Sequence, residues 1–212
     1  MRYLVFSIVF LCTLTLSAAW TEYRDTYFKW QLSLWPDLRP PNLVASLIYQ
    51  ESNWKPKAEL KTDREYGIGL SQITIAYKAD GSIRFDNFTE AKKKYSQLKD
   101  WDYADRFNVE KHIIFAILEI KSLYSKFSNP SYDNVTRIAL TLASYNGGMG
   151  GILKEIALCK SDASCNANYW FCNIAYQSVR SKIPVKGYNK SFWQINREYP
   201  VRIMFININK VK

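Results

Sequence analysis

Residues 43–56 read LVASLIYQESNWKP. The apolar residues of the first half predict a helix, and on that helix Glu51 follows Leu47 by four positions and Ile48 by three. This spacing places the Glu51 carboxyl on the same face as the side chains that seek the core. We therefore expect a helix that ends near Glu51 and has Asn42 as its N-cap.

An apolar setting would change the acid–base behaviour of this carboxyl. Burial disfavours the ionised form, so the pKa of Glu51 should rise. A carboxylic acid that is still protonated near neutral pH can donate its proton to a glycosidic oxygen. The same spacing also fits an ordinary glutamate at a helix end whose side chain reaches solvent.

The first nineteen residues have the composition of a secretory signal peptide. Arg2 supplies a basic start, Leu4 to Leu16 is a mostly apolar run, and Ser17-Ala18-Ala19 offers the small residues of a cleavage site. The run is too short to span a bilayer comfortably, which disfavours a membrane anchor. We expect cleavage after Ala19 and export to the periplasm or the cell exterior.

The chain is basic, with 29 Lys and Arg against 19 Asp and Glu and a net charge of +10. Such a charge favours polyanionic partners: nucleic acid, anionic membrane or an acidic cell-wall polymer. After export the last of these is the most available. The basic residues are scattered apart from Lys92-Lys93-Lys94, which indicates a solvated helix face. We predict no nucleic-acid partner and no stable membrane insertion after signal removal.

Three cysteines follow the predicted signal peptide, at Cys159, Cys165 and Cys172. In an oxidising compartment they predict one local disulfide with one thiol left over, and three pairings are open. A metal site is disfavoured because the only histidine, His112, is far away in the sequence and no Cys-x-x-Cys occurs. We expect this cluster to stabilise a surface loop.

Helical periodicity dominates the rest of the chain. Residues 20–39 are rich in aromatics and carry a weak helical pattern. Apolar residues recur every three or four positions over 109–127 and 135–146, which predicts two longer helices. Gly147-Gly148 should end the second of these. A further short helix is expected near Gly151.

Two segments have no such helical signal. Residues 55–87 contain three glycines and many polar residues without sustained periodicity, which predicts a long irregular loop. The tail after Pro184 mixes aromatic and β-branched residues and has no clear assignment. The fold class predicted from these patterns is mainly α.

Two glycine-bearing segments are candidates for a binding site. Residues 66–74 read YGIGLSQIT, in which glycines let the backbone pass close to a ligand and Gln72 offers both a donor and an acceptor. By pattern alone this segment also fits a turn followed by an edge strand. Residues 143–151 read ASYNGGMGG, and four glycines in five positions indicate a close approach to the backbone.

Four motifs follow one another along residues 40–155. They are Glu51-Ser52 with Pro56 five residues after the glutamate, Gly69-Leu70-Ser71-Gln72-Ile73, Asn108-Val109 at the start of a helix, and Ala143-Ser144-Tyr145-Asn146-Gly147-Gly148. In this order, the motifs resemble the soluble lytic transglycosylase family, a branch of the lysozyme-like superfamily.

The resemblance implies a bilobed, mainly α lysozyme-like domain with a glycan-binding cleft. It also implies cleavage of the β-1,4 bond between N-acetylmuramic acid and N-acetylglucosamine in peptidoglycan strands. We expect this domain over residues 40–155, after an aromatic-rich helical segment at 20–39. A C-terminal extension over residues 156–212 would carry the cysteine loop and pack on the same domain.

The resemblance also assigns roles to individual residues. Glu51 matches the single catalytic acid that later serves as base, and Gln72 matches the cleft residue of a Gly-Leu-x-Gln motif. Tyr145 and Asn146 match the pair that lines the site near the glutamate.

Two positions depart from the family pattern. The hydroxyl residue that the family usually has nine positions after the glutamate is Leu60 here, so Thr62 is the candidate for that hydroxyl. The family often has a glutamate shortly before a tyrosine near the end of the domain. Only Tyr199 of Arg197-Glu198-Tyr199 fits this pattern.

Three functions remain open on these grounds. A lytic transglycosylase needs one carboxyl, which protonates the leaving oxygen and then deprotonates the C6 hydroxyl to close a 1,6-anhydro ring. The family implies no metal and no organic cofactor. A muramidase needs a second carboxyl. A glycan-binding assembly protein needs neither. Candidates for the second carboxyl are Asp63, Glu65, Asp80 and Asp86.

Overall fold

The computed structural model describes the backbone of residues 4–184 and 189–212 and the side chains of residues 19–184 and 189–212. Within these residues the chain is mainly helical, as predicted, with one small sheet. The order is α1 (Leu4–Leu34), α2 (Leu43–Ser52), β1 (Glu59–Lys61), β2 (Glu65–Ile68), β3 (Ile73–Tyr77), β4 (Ile83–Asp86), α3 (Asn87–Lys94), α4 (Val109–Lys126), α5 (Asn134–Gly147), α6 (Met149–Ser161) and α7 (Phe192–Val201).

The chain divides into two compact units. The first comprises residues up to 118 together with residues 207–212, and the second comprises residues 119–206. The first unit contains the Glu51 helix and the sheet, whereas the second contains the Tyr145-Asn146 motif. The domain boundaries expected after residues 19, 39 and 155 stay predictions.

The predicted signal peptide falls on α1. The backbone of residues 1–3 and the side chains of residues 1–18 lie outside the described part of the chain, so cleavage after Ala19 stays a prediction. Among the described residues, no helix has the combined length and apolar character needed to cross a bilayer.

Helix α2 confirms the expectation for residues 43–52, and its apolar face is buried. Val44, Leu47 and Ile48 have no exposed surface in the first unit. Burial of each such side chain contributes about 1.5–3 kcal/mol, so this face fixes the helix in place. Glu51, on the same face, is half-buried.

The predicted capping role of Asn42 is wrong. Asn42 occupies the N-cap position, but its side chain makes no capping hydrogen bond. Its Nδ2 donates instead to the carbonyls of Ile208, at 3.3 Å, and Val211, at 3.2 Å. Asn207 Nδ2 donates to Gln50 Oε1 at 2.8 Å. The Asn42 and Asn207 amides therefore join α2 to the C-terminal segment of the first unit.

The prediction of an irregular loop over residues 55–87 is wrong, because strands β1 to β4 lie within it. They form an antiparallel sheet of order β1-β2-β3-β4, in which Gly67 lies opposite both Leu60 of β1 and Thr74 of β3. The strands are short, and β2 has three consecutive buried residues. An alternating pattern is therefore missing. Pairing with neighbouring strands, which periodicity does not reveal, stabilises this segment.

Helix α3 follows the sheet directly. Asp86 caps it by accepting a hydrogen bond from the Thr89 N–H at 3.0 Å. Lys93 and Lys94 are exposed, consistent with the solvated basic face expected there. A core cluster unites the sheet with α3 and the start of α4; its buried members are Tyr66, Ile68, Ile73, Ile75, Phe88, Ala91, Leu98, Trp101, Ile114 and Phe115.

The second unit is built around α5, which is buried over most of its length. Asp133 caps α5, and Gly148 ends it with φ of +83°, as the glycine pair predicted. Helix α7, which the sequence left unassigned, begins with a reciprocal capping box between Ser191 and Gln194. The buried core of this unit consists of Phe127, Ala139, Leu140, Ala143, Ile152, Ile156, Cys159, Trp170 and Ile174.

The cysteine prediction of one bridge and one remaining thiol is confirmed. Cys159 and Cys165 form the disulfide, and Cys172 is free and exposed. The bridge joins the end of α6 to the loop that follows it. The structure thus chooses among three pairings that the sequence left open.

Candidate active site

The position of Glu51 is set by the way α2 ends. Asn53 adopts the left-handed conformation with φ of +56°, and its N–H donates to the Tyr49 carbonyl at 2.9 Å. Trp54 then turns into the core, where its indole N–H donates to the Ala45 carbonyl at 3.2 Å. The buried indole thus anchors the last turn of the helix and holds Glu51 at its end.

A pocket of about 360 Å³ opens beside this helix end. It brings Glu51 and Gln72, two of the predicted site residues, to one cavity of the first unit. A volume of this size is in the range of small-ligand pockets. The lining residues are Tyr49, Gln50, Glu51, Ser52, Asn53, Ala58, Glu59, Leu60 and Gln72.

Gln72 is tied to the wall of this pocket by its amide. Its Nε2 donates to the carbonyls of Gly69, at 2.9 Å, and Ala58, at 3.3 Å. Its backbone has a positive φ of +46°. A Cβ at Gly67 would lie 2.6 Å from Gln72 Oε1, so the side chain folds tightly over β2. The glycine at position 67 is therefore needed to seat Gln72.

The space beside Gly69, the second glycine of this motif, is also filled by a side chain of the protein. A Cβ at Gly69, whose φ is +65°, would lie 2.0 Å from His112 Nε2. The ring of His112 is fully buried. Its Nδ1 lies 2.7 Å from Ser71 Oγ, and its Nε2 lies 2.8 Å from the Arg106 carbonyl oxygen.

The protonation state of His112 follows from these partners. The Arg106 carbonyl can only accept, so Nε2 carries the hydrogen. Burial lowers the pKa of His112 to about 4, despite the opposing effect of the Arg106 hydrogen bond. The ring is therefore neutral near pH 7, and its Nδ1 accepts a hydrogen bond from the Ser71 hydroxyl.

Glu59 is a carboxylate at the pocket that sequence patterns did not single out. It lines the cavity, yet alternation along β1 directs its side chain to the face opposite to that of Leu60. There it accepts a hydrogen bond from the Tyr66 hydroxyl. This hydrogen bond, together with the nearby Lys61 ammonium, lowers the pKa of Glu59. The signal that could have identified Glu59 is the alternation of side chains along β1, a segment that the sequence pattern presents as irregular.

The hydroxyl position expected from the family is apolar in the structure. Leu60 lines the pocket, whereas Thr62 lies in the turn between β1 and β2 and is not among the lining residues. The Thr62 hydroxyl accepts hydrogen bonds from the N–H groups of Arg64 and Glu65, at 3.2 and 3.0 Å. The role of Thr62 in substrate binding stays a prediction.

The four candidates for a second carboxyl lie outside the lining of this pocket. Asp80 accepts from the Ser82 N–H and hydroxyl in the β3–β4 turn, and these bonds lower its pKa. Asp86 caps α3. Glu65 lies 3.9 Å from Arg84, and Asp63 is exposed in the β1–β2 turn.

Tyr145, Asn146 and Tyr199 belong to the second unit. Tyr145 is half-buried and Asn146 is exposed at the end of α5. The Asn146 Nδ2 donates to Asn196 Oδ1 at 3.0 Å. Tyr199 is 5 % exposed on α7. The roles of these three residues in substrate binding stay predictions.

The glycines after Asn146 make room for a charged side chain. Arg180 Nη2 donates to the Gly147 carbonyl at 2.8 Å. A Cβ at Gly147 or Gly151 would lie 2.5 or 2.6 Å from the same nitrogen. The close approach that the glycines predicted is thus made, at these two positions, by Arg180.

Arg180 belongs to a buried charge cluster with Glu155 and Arg197. The Glu155 carboxylate has no exposed surface and lies 3.6 Å from Arg180 Nε and 3.2 Å from Arg197 Nη2. Burial lowers the pKa of Arg197, and the charge of Glu155 opposes this effect. Periodicity could not reveal this cluster because its members come from α6, a loop and α7.

A family described as transglycosylase SLT domain matches residues 34–168. No curated protein matches the chain. The matched segment includes both Glu51 and the Tyr145-Asn146 pair and spans more than half of the sequence. The fold of this family is lysozyme-like and mainly α, in agreement with the helices described above. The chain therefore belongs to the transglycosylase SLT domain family.

Proposed function

We propose that the protein is a peptidoglycan lytic transglycosylase that cleaves the β-1,4 bond between N-acetylmuramic acid and N-acetylglucosamine. Membership of the family supports action on peptidoglycan. The observation that supports cleavage of this particular bond, with Glu51 as the acid, is the pocket lined by both Glu51 and Gln72. The product is a glycan that ends in 1,6-anhydromuramic acid.

Glu51 is the proposed single acid and base. It protonates the leaving oxygen and then takes the proton of the C6 hydroxyl, whose oxygen attacks C1 of the same sugar. Both transfers need the carboxyl within hydrogen-bond reach of the sugar. The anchored helix end and the half-buried position of Glu51 at the pocket wall support this assignment. The chemistry requires no metal or organic cofactor.

The arrangement of carboxylates favours this mechanism over hydrolysis. A retaining hydrolase needs two carboxyls about 5 Å apart, and an inverting one needs a wider pair that holds a water. Glu59 is the other carboxylate residue of the pocket lining, but its side chain lies on the opposite face of β1 and is bound by Tyr66. Intramolecular attack by the C6 hydroxyl needs no second carboxyl.

The neutral groups of the pocket suit a sugar. The Gln72 amide nitrogen donates both of its hydrogens to backbone carbonyls, so Oε1 is the atom of this amide that we propose accepts a hydrogen bond from a sugar hydroxyl or acetamido N–H. Leu60 adds an apolar wall. We retain Tyr145, Asn146, Thr62 and Tyr199 as further proposed substrate contacts.

The proposed location is a wall-facing compartment, either the periplasm or the cell exterior. It is supported by the composition of residues 1–19, which is typical of a signal peptide. The net charge of +10 suits an anionic wall polymer. Peptidoglycan strands are the proposed partner.

The proposal is tested by digesting purified peptidoglycan and weighing the soluble fragments. We expect anhydro-muropeptides, which are lighter than the hydrolysis products by one water. Glu51→Gln should abolish release while the protein remains folded by circular dichroism. Glu59→Gln is the matched control, since it also converts a carboxyl of the pocket lining to an amide and should retain release.

Other outcomes identify the alternatives. Reducing ends in place of anhydro ends would make the protein a muramidase, and loss of activity in Glu59→Gln would then implicate the second carboxyl. No release by the wild-type protein, with glycan binding intact, would indicate a binding or assembly protein. Near-normal release by Glu51→Gln would refute the role of Glu51.

A further inference from the structure

We propose that His112 is a positioning residue for Gln72. It acts through Ser71 and Gly69, which hold the turn between β2 and β3 in the conformation that seats Gln72 at the pocket. The expected effect on glycan binding rests on the proposed function, whereas the effect of His112 on the conformation of Gln72 does not.

The turn needs an external support because its backbone is strained at Gln72. Gly69 and Gln72 both have positive φ, +65° and +46°. A glutamine rarely adopts this conformation, and it persists where the surroundings fix it. With the backbone in this conformation, the Gln72 side chain reaches back to the Ala58 and Gly69 carbonyls. A relaxed turn would therefore move the amide that forms part of the pocket wall.

His112 contacts this turn at two points. Its ring fills the space beside the Gly69 Cα, where even a Cβ would lie 2.0 Å from Nε2. Its Nδ1 accepts a hydrogen bond from the Ser71 hydroxyl at 2.7 Å. Both contacts are buried, because Ser71 and His112 have no exposed surface. Buried hydrogen bonds of this kind are costly to leave unmade.

His112 is itself rigidly held. It lies in the first turn of α4, and its ring meets Trp101 edge to face, with centroids 4.9 Å apart. The Nε2–H donates to the Arg106 carbonyl, which fixes the tautomer that leaves Nδ1 as the acceptor. A core helix and a buried tryptophan thus support the turn through one imidazole.

Ser71→Ala is the variant that tests this role with the least disturbance. It removes one hydroxyl and leaves the His112 ring in place. The matched control is Tyr27→Phe, which removes another hydroxyl of the first unit, the one that donates to the Pro41 carbonyl at 2.7 Å. Both should lower the melting temperature. Only Ser71→Ala should affect Gln72. His112→Phe keeps a ring but loses both hydrogen bonds, so it should affect Gln72 at least as strongly as Ser71→Ala does.

The first readout needs no ligand. In nuclear magnetic resonance spectra, Ser71→Ala should shift the side-chain amide signals of Gln72 and speed their hydrogen exchange about tenfold, the fold-change expected for a net hydrogen-bond loss of this type. Tyr27→Phe should leave these signals unchanged. Unchanged Gln72 signals in Ser71→Ala would overturn the proposal.

The second readout is binding of a soluble peptidoglycan tetrasaccharide, measured by calorimetry in the Glu51→Gln background. Ser71→Ala should weaken binding about five- to tenfold, and Tyr27→Phe should leave it within about twofold. In a Gln72→Ala background, Ser71→Ala should have no further effect, because it acts through Gln72. Additive losses would contradict the proposal. If the Glu51→Gln parent bound no glycan, the proposed function would fail, and the amide readout would still decide the positioning role.

Discussion

The two glycine motifs look alike in the sequence but are supported by different chemistry. In the first unit, Gly69 and its turn rest on the neutral, buried ring of His112. In the second unit, Gly147 and Gly151 rest on the guanidinium of Arg180, which Glu155 holds by an ion pair. One support is a hydrogen-bonded imidazole and the other is a buried charge cluster.

The difference shows what a glycine-rich motif can mean. At these three positions the glycine admits a side chain of the protein itself rather than a ligand. Gly148 and Gly150 differ, since a Cβ there would meet no described atom within 4 Å. Gly148 still needs its positive φ, and Gly150 is the glycine whose backbone lies open. The two supports should also respond differently to charge removal, pH and added volume.

The largest effect is expected from removal of the Glu155 charge, which pairs with both Arg180 and Arg197. Glu155→Gln leaves two guanidinium groups near a neutral amide in a buried site, which should cost about 3–5 kcal/mol of unfolding free energy. Urea unfolding measures this loss. The matched control is Glu198→Gln, whose exposed pairs with Lys190 and Arg202 should contribute less than about 1 kcal/mol. Equal losses in the two variants would contradict a buried charge support.

The first unit should be distinguished by its response to pH. Burial lowers the pKa of His112 from 6.5 to about 4, so between these values the unfolded chain binds a proton that the folded chain does not. Stability should therefore be complete above pH 6.5 and fall by about 3 kcal/mol as the pH drops to 4.

The measurement is urea unfolding at several pH values in this window. His112→Gln removes the only histidine and should flatten the profile between pH 6.5 and about 5, where carboxylates contribute little. A profile that keeps its slope in this variant would show that another group is responsible.

Added volume should be costly at Gly69. Gly69→Ala combines a left-handed backbone with a clash against His112, whereas Gly81→Ala has a similar φ of +80° and no atom within 4 Å among the described residues. The control should lose about 1 kcal/mol for the backbone alone. We expect Gly69→Ala to lose about 2 kcal/mol more, from overpacking. Thermal unfolding compares the two, and equal losses would show that the His112 ring yields easily.

The smallest effect is expected at Gly147. Gly147→Ala brings a Cβ to 2.5 Å from Arg180 Nη2 and 2.6 Å from Asn196 Oδ1, but both atoms lie at the far ends of side chains rather than in the backbone. The helical position also favours alanine over glycine. The net loss in thermal unfolding should be about 1 kcal/mol or less. A loss larger than that of Gly69→Ala would mean that the charge cluster is the stiffer of the two supports.

The site residues that could be predicted are those marked by a pattern of neighbouring residues in the sequence. The position of Glu51 followed from the spacing of apolar residues in one helix, and the pocket lined with Gln72 agrees with the motif order. Glu59 was missed because its place depends on the register of β1 with β2. The role of His112 could not be predicted, since nothing in the sequence links it to Ser71, 41 residues away.

The sequence by itself determined the helices α2, α4, α5 and α6, the helix end that carries Glu51 and the order of the family motifs. These depend on periodic burial and on residues close together in the chain, which a single sequence records directly. Only the tertiary structure decided the sheet over residues 59–86, the Cys159–Cys165 pairing and the side chains that fill the glycine motifs. Each of these depends on contacts between residues that local periodicity does not relate, and such contacts form only when the chain packs.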